Sequence, residues 1–177
     1  QCHGCENNCL VTRYRFAGGN TYYSGNKCER HFTNRGADAA TGENAYARKL
    51  RLLFDRPERR NGTLTIGIPR CLNIYEEYHF WHTLLHNCGI RVVLSSPSEM
   101  KSYERHVMSD NICFPAKLVH AHIADLARKG VDRILMPYVV YELPDGKTVN
   151  SYSCPIVTGY SDVVRSVERL PVPLDTP

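Results

Sequence analysis

Short β-branched runs alternate with helical patterns along most of the chain, and this alternation limits the possible fold more than any other feature. The runs TLTIGIP and IRVVLSS begin at residues 63 and 90. Apolar residues at helical spacing separate them, among them Ile74, Tyr78 and Leu85. Because strands that alternate with helices form parallel sheets, residues 63–177 are predicted to fold as a mostly parallel, doubly wound, Rossmann-like α/β domain.

The same pattern predicts the order of the elements. A helix is expected to open at Asn73, with Glu76 as its capping-box partner, and to end at Gly89. Another helix is expected between Pro115 and Gly130. The remaining predictions are helices over 45–54, 96–108 and 161–170, strands over 131–142 and 154–160, a loop over 35–44 and a turn over 144–148.

The N-terminal segment is rich in cysteine. Its cysteines are Cys2, Cys5, Cys9 and Cys28. The first three are separated by two and by three residues, so that tight turns can present their sulfurs to one centre. The intervening segment alternates around Gly-Gly-Asn at 18–20, which predicts a β-hairpin that returns the fourth sulfur. Residues 1–34 are therefore predicted to form a small metal-binding module, and residues 35–62 a helix and linker.

The ligand set leaves the metal open. Four thiolates suit tetrahedral zinc and equally a 4Fe–4S cluster. The alternative is that these cysteines are incidental, or paired in disulfides. The chain has 8 cysteines, and the other 4 are dispersed through the α/β pattern, which favours a reducing compartment over a secreted disulfide framework.

A second candidate set consists of Cys71, Cys113 and Cys154. Cys71 follows a predicted strand at its carboxyl end, where α/β sheets bind ligands, and Cys154 follows a predicted turn, which leaves its position at that edge open. Cys113 comes directly before a predicted helix, whose N-terminus favours a thiolate or an anionic cluster. The alternative is that each is a small buried hydrophobe, and this is favoured for Cys71 and for Cys88, which falls on a predicted apolar helix face.

Two basic residues are candidates for anion binding. Lys117 lies one turn into its predicted helix, and Arg70 follows the strand that begins at residue 63. The chain has no G-x-x-x-x-G-K-[ST], G-x-G-x-x-G or G-x-S-x-G motif, so phosphate-loop, dinucleotide and α/β-hydrolase chemistry have no local support. The net charge of +4 is modest and spread out, which argues against nucleic-acid binding.

The histidines allow a metal site but are better explained as surface residues. His79, His82 and His86 are spaced i, i+3 and i+7 on one predicted helix. That geometry could hold a metal, although a solvated stripe is favoured. His120 and His122 are also expected to lie on the surface of their helix.

Five ordered blocks carry a family resemblance. They are CHGCENNC…SGNKCER, IGIPRCLNIYEEYHFWHTLL, NICFPAKLVHAHIADL, MPYVVYE and CPIVTGY. With them the chain resembles the uncharacterised domain of acyl-CoA dehydratase activase-related proteins, in the neighbourhood of the 2-hydroxyglutaryl-CoA dehydratase activators. The resemblance runs from Cys2 to Tyr160.

The resemblance implies a cytoplasmic bacterial protein that acts with the other domains of a long polypeptide and with acyl-CoA dehydratase subunits. No apolar run approaches the roughly 20 residues needed to span a bilayer, so neither a membrane nor a nucleic-acid partner is expected. The absence of an initiator Met at Gln1 suggests a piece of a longer chain. Related dehydratase subunits hold 4Fe–4S clusters on cysteines, which raises Cys113 and Cys154 as ligands. The expected function is a metal-binding, non-catalytic domain that serves electron transfer or assembly. The alternatives are part of the dehydratase enzyme, with a cluster at Cys113 and Cys154, or a structural zinc module with a docking domain.

Overall fold

The computed structural model of the protein describes residues 1–34, 43–109, 111–144, 146–147, 149–167 and 169–177. The chain divides into two compact units, Gln1–Arg48 and Lys49–Pro177. The predicted loop at 35–44 and turn at 144–148 fall partly outside the described residues. The strands and helices, in chain order, are β1 (Thr12–Arg15), β2 (Thr21–Ser24), α1 (Ala45–Phe54), β3 (Thr65–Ile68), α2 (Ile74–Asn87), β4 (Arg91–Leu94), α3 (Met100–His106), α4 (Phe114–Arg128), β5 (Arg133–Leu135), α5 (Pro155–Val167) and β6 (Leu174–Asp175).

The first unit contains the predicted hairpin. Strands β1 and β2 pair antiparallel, with Thr12 opposite Ser24. Gly19 has φ +82°, a left-handed conformation that glycine adopts without steric cost and that the turn between the strands requires. The Gly-Gly-Asn turn is therefore confirmed.

The second unit is built on a four-stranded sheet with the order β4-β3-β5-β6 and parallel pairing throughout. From β3 the chain passes through α2 to β4 on one side, and then through α3 and α4 to β5 on the other side. This reversal beside β3 is the strand order of a doubly wound α/β domain, and it confirms the predicted mixed α/β class.

Strand β3 lies between two apolar clusters. Ile66 and Ile68 pack with Tyr78 of α2 and with Phe54 at the end of α1. On the opposite face, a side chain added at Gly67 would meet Leu126 of α4 at 3.0 Å, so this helix approaches the strand closely. The second cluster combines α4 and α5 with the sheet. Helices thus cover both faces, as the period of two along β3 requires.

The largest error of the sequence prediction is α5. The segment 154–160 was expected to be a strand, but residues 155–160 form the first half of a helix that starts at Pro155 rather than at residue 161. Its β-branched residues favour a strand locally, but Tyr160 and Val164 lie one turn apart and are both buried. Burial of this helical face outweighs the local propensity.

Other boundaries also differ from the prediction. Strand β5 covers only Arg133–Leu135 of the expected 131–142, although Tyr138 N still donates to Pro177 O at 3.0 Å. Strand β6 was not predicted, because it has only two residues. The capping box at Asn73 is wrong, since its side chain makes no capping hydrogen bond and Nδ2 donates to Glu77 Oε2 instead.

Candidate functional site

The four N-terminal cysteines line one cavity of about 330 Å³ within the first unit. Turns bring them there. Cys2 N donates to Cys9 O at 2.8 Å, which closes the first loop, and Asn26 Nδ2 donates to Cys28 O at 2.9 Å beyond the hairpin. The structure therefore gathers all four predicted ligands around a common space.

Although the four cysteines line one cavity, their positions do not form a metal-coordination geometry. Among the described residues, no group of three or more His, Cys, Asp or Glu side chains is arranged to hold a metal ion. Lys27, Arg30 and His31 also line the cavity. A side chain at position 4 would collide with the His31 ring, so Gly4 lets this wall approach the cysteine loop.

The second set of cysteines lies at the carboxyl edge of the parallel sheet, but in contrasting environments. Cys71 follows β3 and is 3% exposed within the α4–α5 core cluster, and this burial raises the pKa of its thiol to about 12. Cys71 is thus packed among apolar side chains. Cys113 caps α4 and Cys154 directly precedes α5, and both are exposed. Cluster ligation by these three residues stays a prediction.

The candidate anion-binding residues also remain predictions. The guanidinium of Arg70 lies over the Phe54 ring, 4.2 Å from its centroid, in a cation–π contact. Its backbone N–H donates to Ser95 Oγ at 2.7 Å. Lys117 is half-buried in the first turn of α4.

The predicted assignments of Cys88, His82 and His120 to the core or to the surface are wrong. Cys88 is exposed at the end of α2 rather than buried on its apolar face. His82 is buried, with Nε2 3.1 Å from Pro57 O, because the linker after α1 packs over this side of α2. His79 is exposed, as predicted, and contacts Arg56. His120 is buried and its Nε2 lies 3.0 Å from the Tyr160 hydroxyl.

The clearest residue missed by sequence reasoning is His122, which is also buried rather than exposed. Its Nδ1 lies 2.8 Å from Ser95 Oγ and its Nε2 lies 3.0 Å from Ser98 Oγ. Both serines follow β4 at the carboxyl edge of the sheet. The serine cluster after a predicted strand was the available signal, but only the packing of α4 shows that a histidine faces it.

The fold and the cysteine cavity define an α/β domain preceded by a cysteine-rich hairpin unit. The family described as the CoA enzyme activase uncharacterised domain matches residues 65–176, and the chain belongs to this family. The match covers the sheet and its helices, whereas the four N-terminal cysteines precede it. No curated protein and no solved structure matches the chain. In the part of the chain that the structure describes, no helix has the length and apolar character needed to cross a membrane.

Proposed function

We propose that this chain is a metal-binding, non-catalytic part of an activase-related protein. Cys2, Cys5, Cys9 and Cys28 would hold either one zinc ion or one 4Fe–4S cluster. Of the features of the molecule, the lining of a single cavity by all four cysteines carries the proposal.

The burial pattern of the first unit supports the same conclusion. None of residues 1–34 is buried, and every buried hydrophobic side chain of the described chain lies at Phe54 or beyond. A unit without buried apolar side chains lacks the main stabilising term of folding. Small units of this kind rely on cross-links, such as a structural metal whose binding energy is also folding energy.

For coordination, the sulfurs of the four cysteines need to move closer together around the metal. The residues that would do so lie in turns and in the loop after β2, and all four cysteines are exposed or only half-buried. Such short loops adapt at low cost, and metal binding selects the closed arrangement. Zinc would make this a structural centre, whereas an iron–sulfur cluster would supply one-electron redox chemistry.

Family membership directs the partner proposal. A CoA enzyme activase domain is proposed to act with acyl-CoA dehydratase subunits and with other domains of its own polypeptide. In this role the first unit either transfers an electron to these partners or stabilises an assembly with them, and it catalyses no reaction itself. The proposed compartment is the cytoplasm.

The test is the metal and acid-labile sulfide content of protein purified without oxygen, together with its visible spectrum. Iron with sulfide and a broad visible absorption supports the electron-transfer role, and one zinc per colourless chain supports the structural role. Cys5→Ser is expected to lose the metal, and the matched variant Cys88→Ser is expected to keep it because Cys88 is exposed directly after α2, outside the cysteine cavity. Metal-free wild-type protein, or equal loss in both variants, would overturn the proposal.

A second candidate function is a catalytic cluster at the carboxyl edge of the sheet. It is favoured by the positions of Cys113 and Cys154, which are exposed directly before the first turns of α4 and α5. Both helices pack in the core cluster that contains Cys71. Two metal sites predict that Cys113→Ser lowers the metal content of anaerobic protein, and a single N-terminal site predicts no change.

A further inference from the structure

A polar cavity of about 280 Å³ lies beyond the carboxyl end of β4, within the second unit. Its walls come from the loop after β4, from α3 and from α4. This edge of a parallel sheet is where α/β domains bind small ligands. The cavity lies close to the lower end of the size range of small-molecule sites.

His122, which lines the cavity, lies within hydrogen-bonding distance of two serines, and of these Ser98 also lines the cavity whereas Ser95 is buried beneath it. The direction of these hydrogen bonds follows from one fixed donor, the Arg70 backbone N–H, which donates to Ser95 Oγ at 2.7 Å. Ser95 is 2% exposed, so its own hydrogen needs a buried acceptor, and His122 Nδ1 is 2.8 Å away.

Because Nδ1 of His122 accepts from Ser95, the proton of the neutral imidazole is on Nε2. His122 Nε2–H then donates to Ser98 Oγ at 3.0 Å. The hydroxyl hydrogen of Ser98 is therefore directed away from the ring. Because Ser98 is exposed and lines the cavity, it offers a hydrogen-bond donor to whatever enters.

The charges around the cavity favour an anion. The carboxylate of Asp125 is already satisfied, since it accepts from Ser96 N at 2.7 Å and pairs with Lys129 at 3.0 Å and Arg128 at 3.3 Å. Lys101 and Arg105 lie one turn apart on α3 and also line the cavity.

No ion pair joins either α3 cation to another residue in the described ranges. Apart from Asp125, the one carboxylate among the described residues that lines the cavity is that of Glu99, and it offsets part of the positive charge of Lys101 and Arg105. Ser96 and Ser102 add hydroxyl donors beside these cations. A cation pair next to several hydroxyl groups is suited to an oxyanion with several acceptor oxygens.

We infer that this cavity is a binding site for a phosphate group, held by Lys101 and Arg105 and by the Ser98 hydroxyl that His122 orients. The phosphate is either free or the terminal group of a small ester. The site shares no residue with the cysteine cavity, so it does not depend on the metal proposal.

The experiment is calorimetric titration of the full chain with inorganic phosphate at constant ionic strength, and separately with glycerol phosphate. We expect saturable binding that weakens about tenfold or more in Lys101→Gln/Arg105→Gln, because charge-assisted hydrogen bonds are lost. Lys49→Gln/Arg60→Gln removes the same charges at exposed positions outside the cavity and should retain wild-type affinity.

A finer comparison tests the hydroxyl. Ser98→Ala should weaken phosphate binding, whereas Ser98→Thr, which keeps the donor, should bind nearly as the wild type does. Tighter binding of glycerol phosphate identifies an ester as the ligand, and tighter binding of phosphate identifies the free ion. The inference is overturned by the absence of saturable binding, by equal losses in both double variants, or by unchanged affinity in Ser98→Ala.

Discussion

At the scale of single residues, His122 makes stability depend on pH. Burial is the main cause that lowers the pKa of its imidazole to about 4 from the ordinary 6.5, and Arg70 and Lys129 act in the same direction while Asp125 opposes them. Between these two values the unfolded chain binds a proton that the folded chain does not. The contribution of His122 is therefore present above pH 6.5 and is lost as the pH falls towards 4.

We expect this histidine to account for about 2–3 kcal/mol of the free energy of unfolding lost over that window, since one pKa unit corresponds to about 1.4 kcal/mol. Urea unfolding between pH 7 and 4 measures the loss. The His122→Gln variant should show a shallower slope than the wild type, whatever its absolute stability. A His122 ring NMR signal that titrates with a midpoint near 6.5 would contradict the expectation.

The grouping of the N-terminal cysteines was predictable because it depends on their spacing in the sequence. The short separations of Cys2, Cys5 and Cys9 already required turns, and the four cysteines do surround one cavity. Burial on helices was less predictable, because it depends on which side meets the sheet or a loop. His82 and His122 are buried by a linker and by serines that lie far away in sequence.

At the scale of elements, α5 shows how tertiary burial overrides local preference. The strand prediction for 154–160 rested on its β-branched residues, whereas the helical alternative needed the later residues of the same segment. The apolar period becomes visible once Tyr160 and Val164 are read together, both at 4% exposure or less. The parallel strands β3 and β4 were predictable because both are short, mainly apolar and β-branched runs, which is typical of strands in a sheet covered on both faces.

Adjacent valines in α5 provide a matched test of this element. Val164 is fully buried in the α4–α5 cluster, and Val163 is 44% exposed. We expect Val164→Ala to lower the free energy of unfolding by about 2 kcal/mol, from two lost methylene equivalents and the cavity left behind. Val163→Ala should change it by less than about 0.5 kcal/mol. Equal effects in urea unfolding would contradict the helical face described above.

At the scale of the whole molecule, the two units differ in what stabilises them. The unit Lys49–Pro177 contains both apolar clusters and the parallel sheet. In Gln1–Arg48 the described side chains include none that is buried. The hairpin there has only two strands, and isolated two-stranded hairpins are marginally stable in water. A bound metal would therefore contribute most of the stability of the first unit and little of the second.

Removing the metal should consequently unfold one unit and spare the other. We expect a chelator, added to anaerobically purified protein, to abolish hydrogen-exchange protection of the backbone bonds between β1 and β2, because the proposed metal would couple binding to folding there. Amides of β3 and β4 should keep their protection, since their bonds lie within an apolar core. Exchange measured by mass spectrometry on peptides from each unit tests both expectations, with Cys5→Ser as a metal-deficient reference. Unchanged protection of the hairpin after complete metal removal would mean that the cysteines do not stabilise the first unit.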